Sequence, residues 1–216
     1  MKQLTIPSYT EKKIKKGQFV LEKQDFPSLP FHDQAVELAN TKGQFIGIGY
    51  LSEQNKGIGW FISHKKVTLD VSFFCQLFQC AKEKRQVYQQ SEETTAYRLF
   101  NQEGDGFGGF TIDLYQDYAV FSWYNLFVYE MKETVVQAFQ HVFPEVAGAY
   151  EKIRFKGLDV ESAHLYGQEA SAFFTILENG VRYQVFLNDG LMTGIFLDQH
   201  EVRGSLANGL ATGKSL

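Results

Sequence analysis

The residues best suited to binding chemistry lie between positions 188 and 203, where the sequence reads NDGLMTGIFLDQHEVR. A Thr-Gly turn, two large apolar residues, an Asp-Gln pair and a later Arg place hydroxyl, carboxylate, amide and guanidinium groups on one short rim. The residues alone leave two interpretations open. The segment is either a ligand-binding rim or a loop that enters an amphipathic helix at Asp198 and buries Leu197 and Val202.

A second distinctive stretch is a basic turn beside Gly17, composed of Lys12, Lys13, Lys15 and Lys16. Ammonium groups clustered in this way contact nucleic-acid phosphates and release counterions. The alternative is a solvated surface turn, which is the usual fate of a run of like charges.

The charge distribution favours an N-terminal location for any RNA contact. Residues 1–66 carry a net charge of +4 and residues 67–216 carry −8, within a total of −4 for the 216-residue chain. An acidic chain is a poor general binder of nucleic acid, whereas a basic module on an acidic body is a plausible one. Apolar runs are too short to cross a membrane, and no signal peptide is evident, so we expect a cytoplasmic protein without membrane contact.

A glycine-rich stretch at positions 104–109, GDGFGG, matches the spacing G-x-G-x-x-G, with Glu130 further on. In dinucleotide-binding proteins this motif opens a helix whose N-terminus meets the pyrophosphate. Here the next residues, FTIDLY, have the composition of a strand. We therefore favour a glycine loop that enters a hairpin over a nucleotide site.

Metal and nucleophile motifs are not found in the sequence. Its histidines have no His, Cys or carboxylate at a metal-ligand spacing, and no Ser or Cys lies in a nucleophile motif. Cys75 and Cys80 are expected to pack in the core of an apolar helix as reduced thiols, since five positions along a helix point them apart. The five histidines are His32, His64, His141, His164 and His200.

The elements that would position these groups begin with a small β unit. Residues 8–16 predict a short helix capped by Ser8 or Thr10 and ended by Gly17. Residues 45–51 and 58–62 predict a hairpin across the turn at 52–57, and the glycines within it suggest bulges or a tightly curled barrel. Residues 70–90 then predict a linking helix with Asp70 as its N-cap.

The remaining residues predict a second, α+β unit. Its strands precede and follow a helix rather than alternate with helices, which is typical of α+β folds. Asn-Gly at 179–180 between apolar runs predicts a hairpin. The predicted strands cover 97–101, 110–115, 118–123, 147–155, 173–178 and 181–187, and the helix covers 131–142 before Pro144.

Two of these segments resemble one known family. Residues 193–203, TGIFLDQHEVR, resemble the signature T-G-x-F-x-D-Q-R-x-N-R of class I ribosomal RNA large-subunit methyltransferases of the 5-methylcytosine type. Residues 97–113 are similar to that family's Y-R-L-x-x-x-E-G-D-G-x-P-G-x-x-x-D segment. The N-terminal basic turn and the hairpin look like the family's PUA domain. His200, Val202 and Gly108 depart from the usual Arg, Asn and Pro.

The resemblance implies an α+β chain with an N-terminal PUA-like small β-barrel, a central α+β domain, and a Rossmann-like domain that is missing beyond its first residues, GKSL at 213–216. It implies S-adenosylmethionine (SAM) as cofactor and places Thr193, Gly194, Phe196, Asp198, Gln199 and Arg203 at the mouth of the SAM site. The implied parts are a PUA-like RNA-binding domain (1–68), a linker helix (69–92), a central domain (93–190) and a lead-in to the Rossmann-like domain (191–216).

The function implied by the resemblance is that of the N-terminal portion of a SAM-dependent RNA methyltransferase acting on cytosine C5 in 23S ribosomal RNA. No catalytic residue and no metal ligand is expected in this chain, because the family's cysteine nucleophile lies in the missing domain. We therefore expect the 216 residues alone to be inactive. Ribosomal RNA is the expected partner, and exposed aromatic strands would support a homodimer. The alternative is a stand-alone RNA-binding or adaptor module.

Overall fold

A computed structural model describes residues 1–26, 33–54, 57–207 and 209. Some sequence predictions involve residues outside these ranges. They are His32, the turn residues Asn55 and Lys56, and the end of the predicted lead-in, including the expected first residues of the Rossmann-like domain at 213–216.

The N-terminal part is a mixed five-stranded sheet with one helix. Its elements are β1 (Lys2–Thr5), α1 (Ser8–Lys15), β2 (Val20–Leu21), β3 (Gln34–Ala39), β4 (Phe45–Gln54) and β5 (Gly57–Ser63). The strand order is β1-β3-β4-β5-β2, with β1 parallel to β3 and the other pairs antiparallel. Among the described residues no ladder joins the edge strands β1 and β2. Within these ranges, the two-residue β2 pairs only with β5, and the sheet expected as a PUA-like small β-barrel is described as this five-stranded order.

The central part is a second five-stranded sheet flanked by helices and a separate hairpin. Its elements are α2 (Val71–Lys84), α3 (Gln86–Gln89), β6 (Ala96–Asn101), β7 (Phe110–Tyr115), β8 (Tyr118–Trp123), α4 (Leu126–Glu130), α5 (Lys132–Val142), β9 (Gly148–Ile153), β10 (Ser162–Gly167), β11 (Phe174–Glu178), β12 (Val181–Val185) and α6 (His200–Ala207). The sheet order is β10-β9-β8-β7-β6, and among the strands described β11 pairs with β12 alone.

The main hydrophobic core joins the two sheets. Tyr50 and Trp60 of the β4–β5 hairpin belong to the same buried cluster as Phe74 of α2 and Phe110 of β7. The Tyr50 hydroxyl also donates a 2.8 Å hydrogen bond to the Gly108 carbonyl. The predicted boundary at residue 68 therefore separates two sheets that share one core.

Several predicted elements are confirmed. The hairpins β4–β5, β7–β8 and β11–β12 are all present, with register shifts along β4 that match the predicted bulges. The side chain of Asp70 caps α2 by accepting from the Phe73 amide at 2.9 Å. Gly17, at φ +85°, ends α1 by donating to the Ile14 carbonyl. The mixed α+β class is thus confirmed.

Other predictions need correction. Pro7, not Ser8 or Thr10, occupies the N-cap of α1, and no side chain caps that helix. Thr10 is buried, and its hydroxyl donates to the Asp25 carboxylate at 2.7 Å instead of capping the helix.

The predicted helix over 70–90 breaks at Arg85 into α2 and α3, because the φ of −108° and ψ of 16° at that residue leave the helical region. Cys80 is exposed rather than packed in the core, because it lies on the solvent side of α2, while Cys75 is partly buried. Strand β10 has no counterpart in the predicted elements. The parallel pairing of β8 with β9, which requires the crossover through α4 and α5, was not predicted either.

Candidate functional site

The segment 188–203 covers one face of the central sheet and is held there by two basic side chains of β9 and the residue after it. Lys152 Nζ donates to the Gly190 carbonyl at 2.6 Å, and the Arg154 guanidinium donates to the Leu191 carbonyl at 2.6 Å. Both cations thus bond backbone oxygens of the segment. They fix where its turn lies on the sheet.

Thr193 is a structural anchor of this segment. It is buried, and its hydroxyl lies 2.9 Å from the hydroxyl of Tyr115. The Thr193 carbonyl accepts from the Phe186 amide at 3.0 Å, which ties the turn to the end of β12. Gly194 follows at φ +94°, a left-handed conformation that favours glycine and reverses the chain.

Arg203 is engaged by a buried carboxylate. Its guanidinium donates to both oxygens of Glu178, at 2.5 and 2.9 Å, and also to the Phe196 carbonyl at 2.6 Å. The hydrogen bonds to Glu178 raise the pKa of Arg203. This bidentate pair fixes α6 and the turn before it to the β11–β12 hairpin.

The outer rim of the segment is open to solvent. Phe196, Asp198 and Gln199 are exposed, and a short 3-10 turn over Leu197–Gln199 leads into α6. Of the two interpretations left open by the sequence, each holds in part, since a helix follows a rim of exposed polar groups. Val202 is 61% exposed rather than buried, because the side of α6 that carries it packs against none of the described residues.

A row of polar residues crosses the sheet beneath this segment. We call it the polar row, and it consists of Asn101, Thr111, Ser122, Lys152 and Ser162, which pair in register across all five strands. Burial and the nearby Arg154 lower the pKa of Lys152 to about 8.

Asp113, a neighbour of the polar row on β7, is also buried. Burial raises the pKa of Asp113, although its partner Arg98 opposes that shift.

The basic turn is partly neutralised. Lys13 Nζ bonds Glu22 at 2.5 Å, and Lys15 Nζ bonds Glu11 at 2.7 Å. Lys12 and Lys16 are exposed and form no ion pair among the described residues. The structure therefore brings the predicted RNA-binding lysines together around Gly17 but leaves two of them free to meet phosphates.

The glycine loop has a structural role. The Arg85 guanidinium donates to both carboxylate oxygens of Asp105, at 2.7 and 2.6 Å. Despite the opposing effect of burial, these bonds lower the pKa of Asp105. A side chain at Gly108 would collide with the Trp60 ring at 2.2 Å, so this glycine allows the hairpin to dock. The loop is followed by strand β7 rather than by a helix, as predicted for a glycine loop that enters a hairpin and not for a dinucleotide site.

A groove that the sequence did not predict lies between the β4–β5 hairpin and the ends of β6, β8 and β9. Its volume is about 820 Å³, and its walls include Trp60, Gln102, Tyr124, Arg154 and Phe155. These residues come from separate segments of the chain, so no motif in the sequence indicated the groove.

Metal sites and membrane spans are both missing from the part of the chain that the structure describes. Those residues contain no cluster of His, Cys, Asp and Glu suited to a metal ion. None of the helices described is long and apolar enough to span a bilayer.

Residues 4–64 match the PUA-like domain family, which defines the N-terminal sheet as a PUA-like domain on an α+β body. The chain is 37% identical, over its full length, to YwbD of Bacillus subtilis, a candidate ribosomal RNA large subunit methyltransferase. It is 33% identical over 81% of its length to ribosomal RNA large subunit methyltransferase I of Photobacterium profundum. The chain spans about half the length of these curated relatives, 57% and 45%.

Solved structures give the same result. A candidate SAM-dependent methyltransferase from Streptococcus mutans superposes with a TM-score of 0.94 at 56% identity, over 99% of this chain and 56% of that one. The crystal structure of SMU.776, a candidate methyltransferase complexed with SAH, matches with the same TM-score, and the match covers 55% of that chain. These similarities confirm the predicted resemblance to the PUA-domain ribosomal RNA large-subunit methyltransferase family. One of the two solved relatives is described as a candidate SAM-dependent enzyme, and the other is complexed with SAH.

Proposed function

We propose that this chain is the RNA-positioning part of a SAM-dependent methyltransferase that forms 5-methylcytosine in 23S ribosomal RNA. The observation that carries the proposal is the TM-score of 0.94 at 56% identity over 99% of the chain. A Rossmann-like domain from sequence outside the described residues would supply the cysteine nucleophile and most of the SAM cradle. The greater length of the relatives supports this division.

Within the segment 188–203, the exposed residues would form the lip of the SAM site. The carboxylate of Asp198 and the amide of Gln199 are open to solvent and can pair with polar groups of a nucleoside, while Phe196 offers an apolar surface. Thr193 and Arg203 would act by holding the lip in place, since both are bonded within the protein.

The partly buried thiol of Cys75 is a poor nucleophile for cytosine C6. Cys75 donates to the Ala138 carbonyl at 3.6 Å, and burial raises its pKa, so its thiolate is disfavoured. We therefore expect no transfer of labelled methyl groups from SAM to ribosomal RNA by the 216-residue protein. Methylation above a no-protein control would contradict this expectation.

RNA contact is assigned to Lys12, Lys16 and the backbone at Gly17. Replacing both lysines with Gln should weaken binding to ribosomal RNA and reduce the slope of log K against log salt by about 1–2. The matched control is the double change Lys42→Gln and Lys65→Gln, two exposed lysines elsewhere. Equal losses in both variants would remove the basic turn from the proposal.

The effect of SAM on the protein distinguishes this proposal from the alternative of a stand-alone RNA-binding module. In the longer protein, Asp198→Ala should reduce SAM affinity, whereas the control Asp159→Ala, at an exposed carboxylate outside this segment, should not. RNA binding that never responds to SAM would favour the stand-alone module. A homodimer through exposed side chains such as Phe173 and Phe186 stays a prediction for sedimentation equilibrium.

A further inference from the structure

The groove between the β4–β5 hairpin and the central sheet combines aromatic walls with hydrogen-bond donors. Tyr124 follows β8, Phe155 and Arg154 follow β9, and Trp60 belongs to β5. Its volume of about 820 Å³ lies within the ~300–1,000 Å³ range of small-molecule sites.

Two buried donors in the groove walls lack acceptors. The indole Nε1 of Trp60 and the Nε of Arg154 make no hydrogen bond among the described residues, although both atoms are inaccessible to solvent. A buried donor without an acceptor is costly, so each such group calls for an explanation. Carbonyl or phosphate oxygens of a bound molecule would supply the missing acceptors once a small rotation of these side chains exposes the two atoms to the groove.

The charges of the groove are divided between its walls. Arg154 and the exposed Lys156 follow β9, whereas Glu53 lies in β4 and Glu103 follows β6. Cations on one wall suit a phosphate, and carboxylates on the other accept hydrogen bonds from amino groups of a base. A nucleotide is a ligand with both features and with a flat ring that stacks on aromatic side chains.

We propose that this groove binds one unpaired nucleotide of a single-stranded RNA and prefers a base that carries an exocyclic amino group over uracil. The inference rests on the proposed function, because it assumes that the protein binds RNA. Uracil offers the carboxylates no amino group, so selectivity follows from Glu53 and Glu103. The basic turn would hold the strand elsewhere through phosphates alone.

The test measures binding of oligocytidylate and oligouridylate of equal length by fluorescence anisotropy. Tryptophan fluorescence gives a second readout, since Trp60, although itself buried, lines the groove, whereas Trp123 does not. We expect oligocytidylate to quench the emission and to bind at least about 5-fold more tightly than oligouridylate. Cytidine 5′-monophosphate alone should bind more weakly than the strand.

The variants separate the groove from the basic turn. Tyr124→Leu should reduce oligocytidylate affinity about 10-fold, because base–aromatic stacking is lost. Lys156→Gln should reduce affinity about 3-fold, while the matched control Lys42→Gln leaves it unchanged. Thermal unfolding of each variant checks that the fold is retained.

Each outcome decides one question. Groove variants that bind as tightly as the wild type, while Lys12→Gln with Lys16→Gln weakens binding, would overturn this inference and leave the proposed function intact. No RNA binding by the wild type would overturn both. Equal affinity for the mononucleotide and the strand would show that the groove takes a free nucleotide instead.

Discussion

The two faces of the central sheet are built in different ways. One face, which we call the ring face, carries Ile112, Phe121 and Trp123 against α2 and α5, where Phe78 and Phe139 meet with ring centroids 5.9 Å apart. The opposite face carries the polar row and a smaller apolar cluster under the β11–β12 hairpin. Burial of apolar side chains dominates on the ring face, where the one buried carboxylate described, Glu151, accepts from Trp123 and Lys132. On the opposite face, a few directional bonds hold the segment 188–203.

This difference separates stability from function. Apolar contacts tolerate small shifts, so the ring face can anchor the fold without fixing any one atom. The directional bonds of Lys152, Glu178 and Tyr115 fix the position of the segment 188–203. A site that must present polar groups to a ligand needs such bonds, because preorganisation depends on geometry.

The largest expected effect is on the ring face. Phe110 is fully buried and stacks on Phe100 with centroids 4.6 Å apart. Phe110→Ala should lower the free energy of unfolding by about 3–5 kcal/mol, measured by urea denaturation. The control Phe173→Ala removes a ring that is 82% exposed and should cost less than about 0.5 kcal/mol. Similar losses in both variants would refute the assignment of the core.

The next effect concerns the buried carboxylate on the opposite face. Glu178→Gln leaves the Arg203 guanidinium without its charge partner and should destabilise α6 locally by about 2 kcal/mol. Hydrogen exchange should accelerate at α6 while β7 keeps its protection. Exchange that accelerates equally in both elements would mean that the pair supports the whole fold. Glu201→Gln, which changes an exposed residue of α6, is the control.

Lys152 gives the opposite face a pH dependence. Its pKa is lowered to about 8 in the folded protein from 10.5, so the unfolded chain binds more protons between these values. The contribution of this group to the free energy of unfolding therefore rises with pH, by about 1.5 kcal/mol from pH 8 to 9.5. Lys152→Met should abolish the rise measured by denaturation. Lys65→Met, at an exposed position, should retain it. A flat profile in the wild type would contradict the lowered pKa.

The smallest effect is at the Thr193 anchor. Tyr115→Phe removes the 2.9 Å hydrogen bond to Thr193 and should cost about 1 kcal/mol. Tyr118→Phe, whose hydroxyl makes a 3.3 Å bond to the Glu169 carbonyl at an exposed site, is the control and should cost less. Calorimetric melting measures both. An unchanged melting temperature in Tyr115→Phe would indicate that backbone bonds alone hold the turn.

Local chemistry in the sequence predicted much of the fold. Asn-Gly at 179–180 joins β11 to β12, Asp70 caps α2, and Gly17 ends α1, because turns and caps depend on a few adjacent residues. The hairpin expected after the glycine loop is formed by β7 and β8. The N-cap of α1 was missed because the Thr10 hydroxyl bonds a carboxylate fifteen positions away instead.

The candidate site was predicted only in part. The motif at 193–203 identified the residues, but their roles depend on partners that the motif does not contain. Arg203 was expected at the mouth of the SAM site, and the tertiary structure pairs it with Glu178 of β11. Strand β10 has polar and apolar residues without clear alternation, so its place at the edge of the sheet was not apparent.

The sequence by itself determined the α+β class, the three hairpins and the resemblance to a methyltransferase family, since each depends on residue types at short spacing. Only the tertiary structure decided that the two sheets share one core, that the polar row underlies the segment 188–203, and that a groove opens beside Trp60. These features join residues far apart along the chain. Their energy arises from burial and pairing that exist only once the chain has folded.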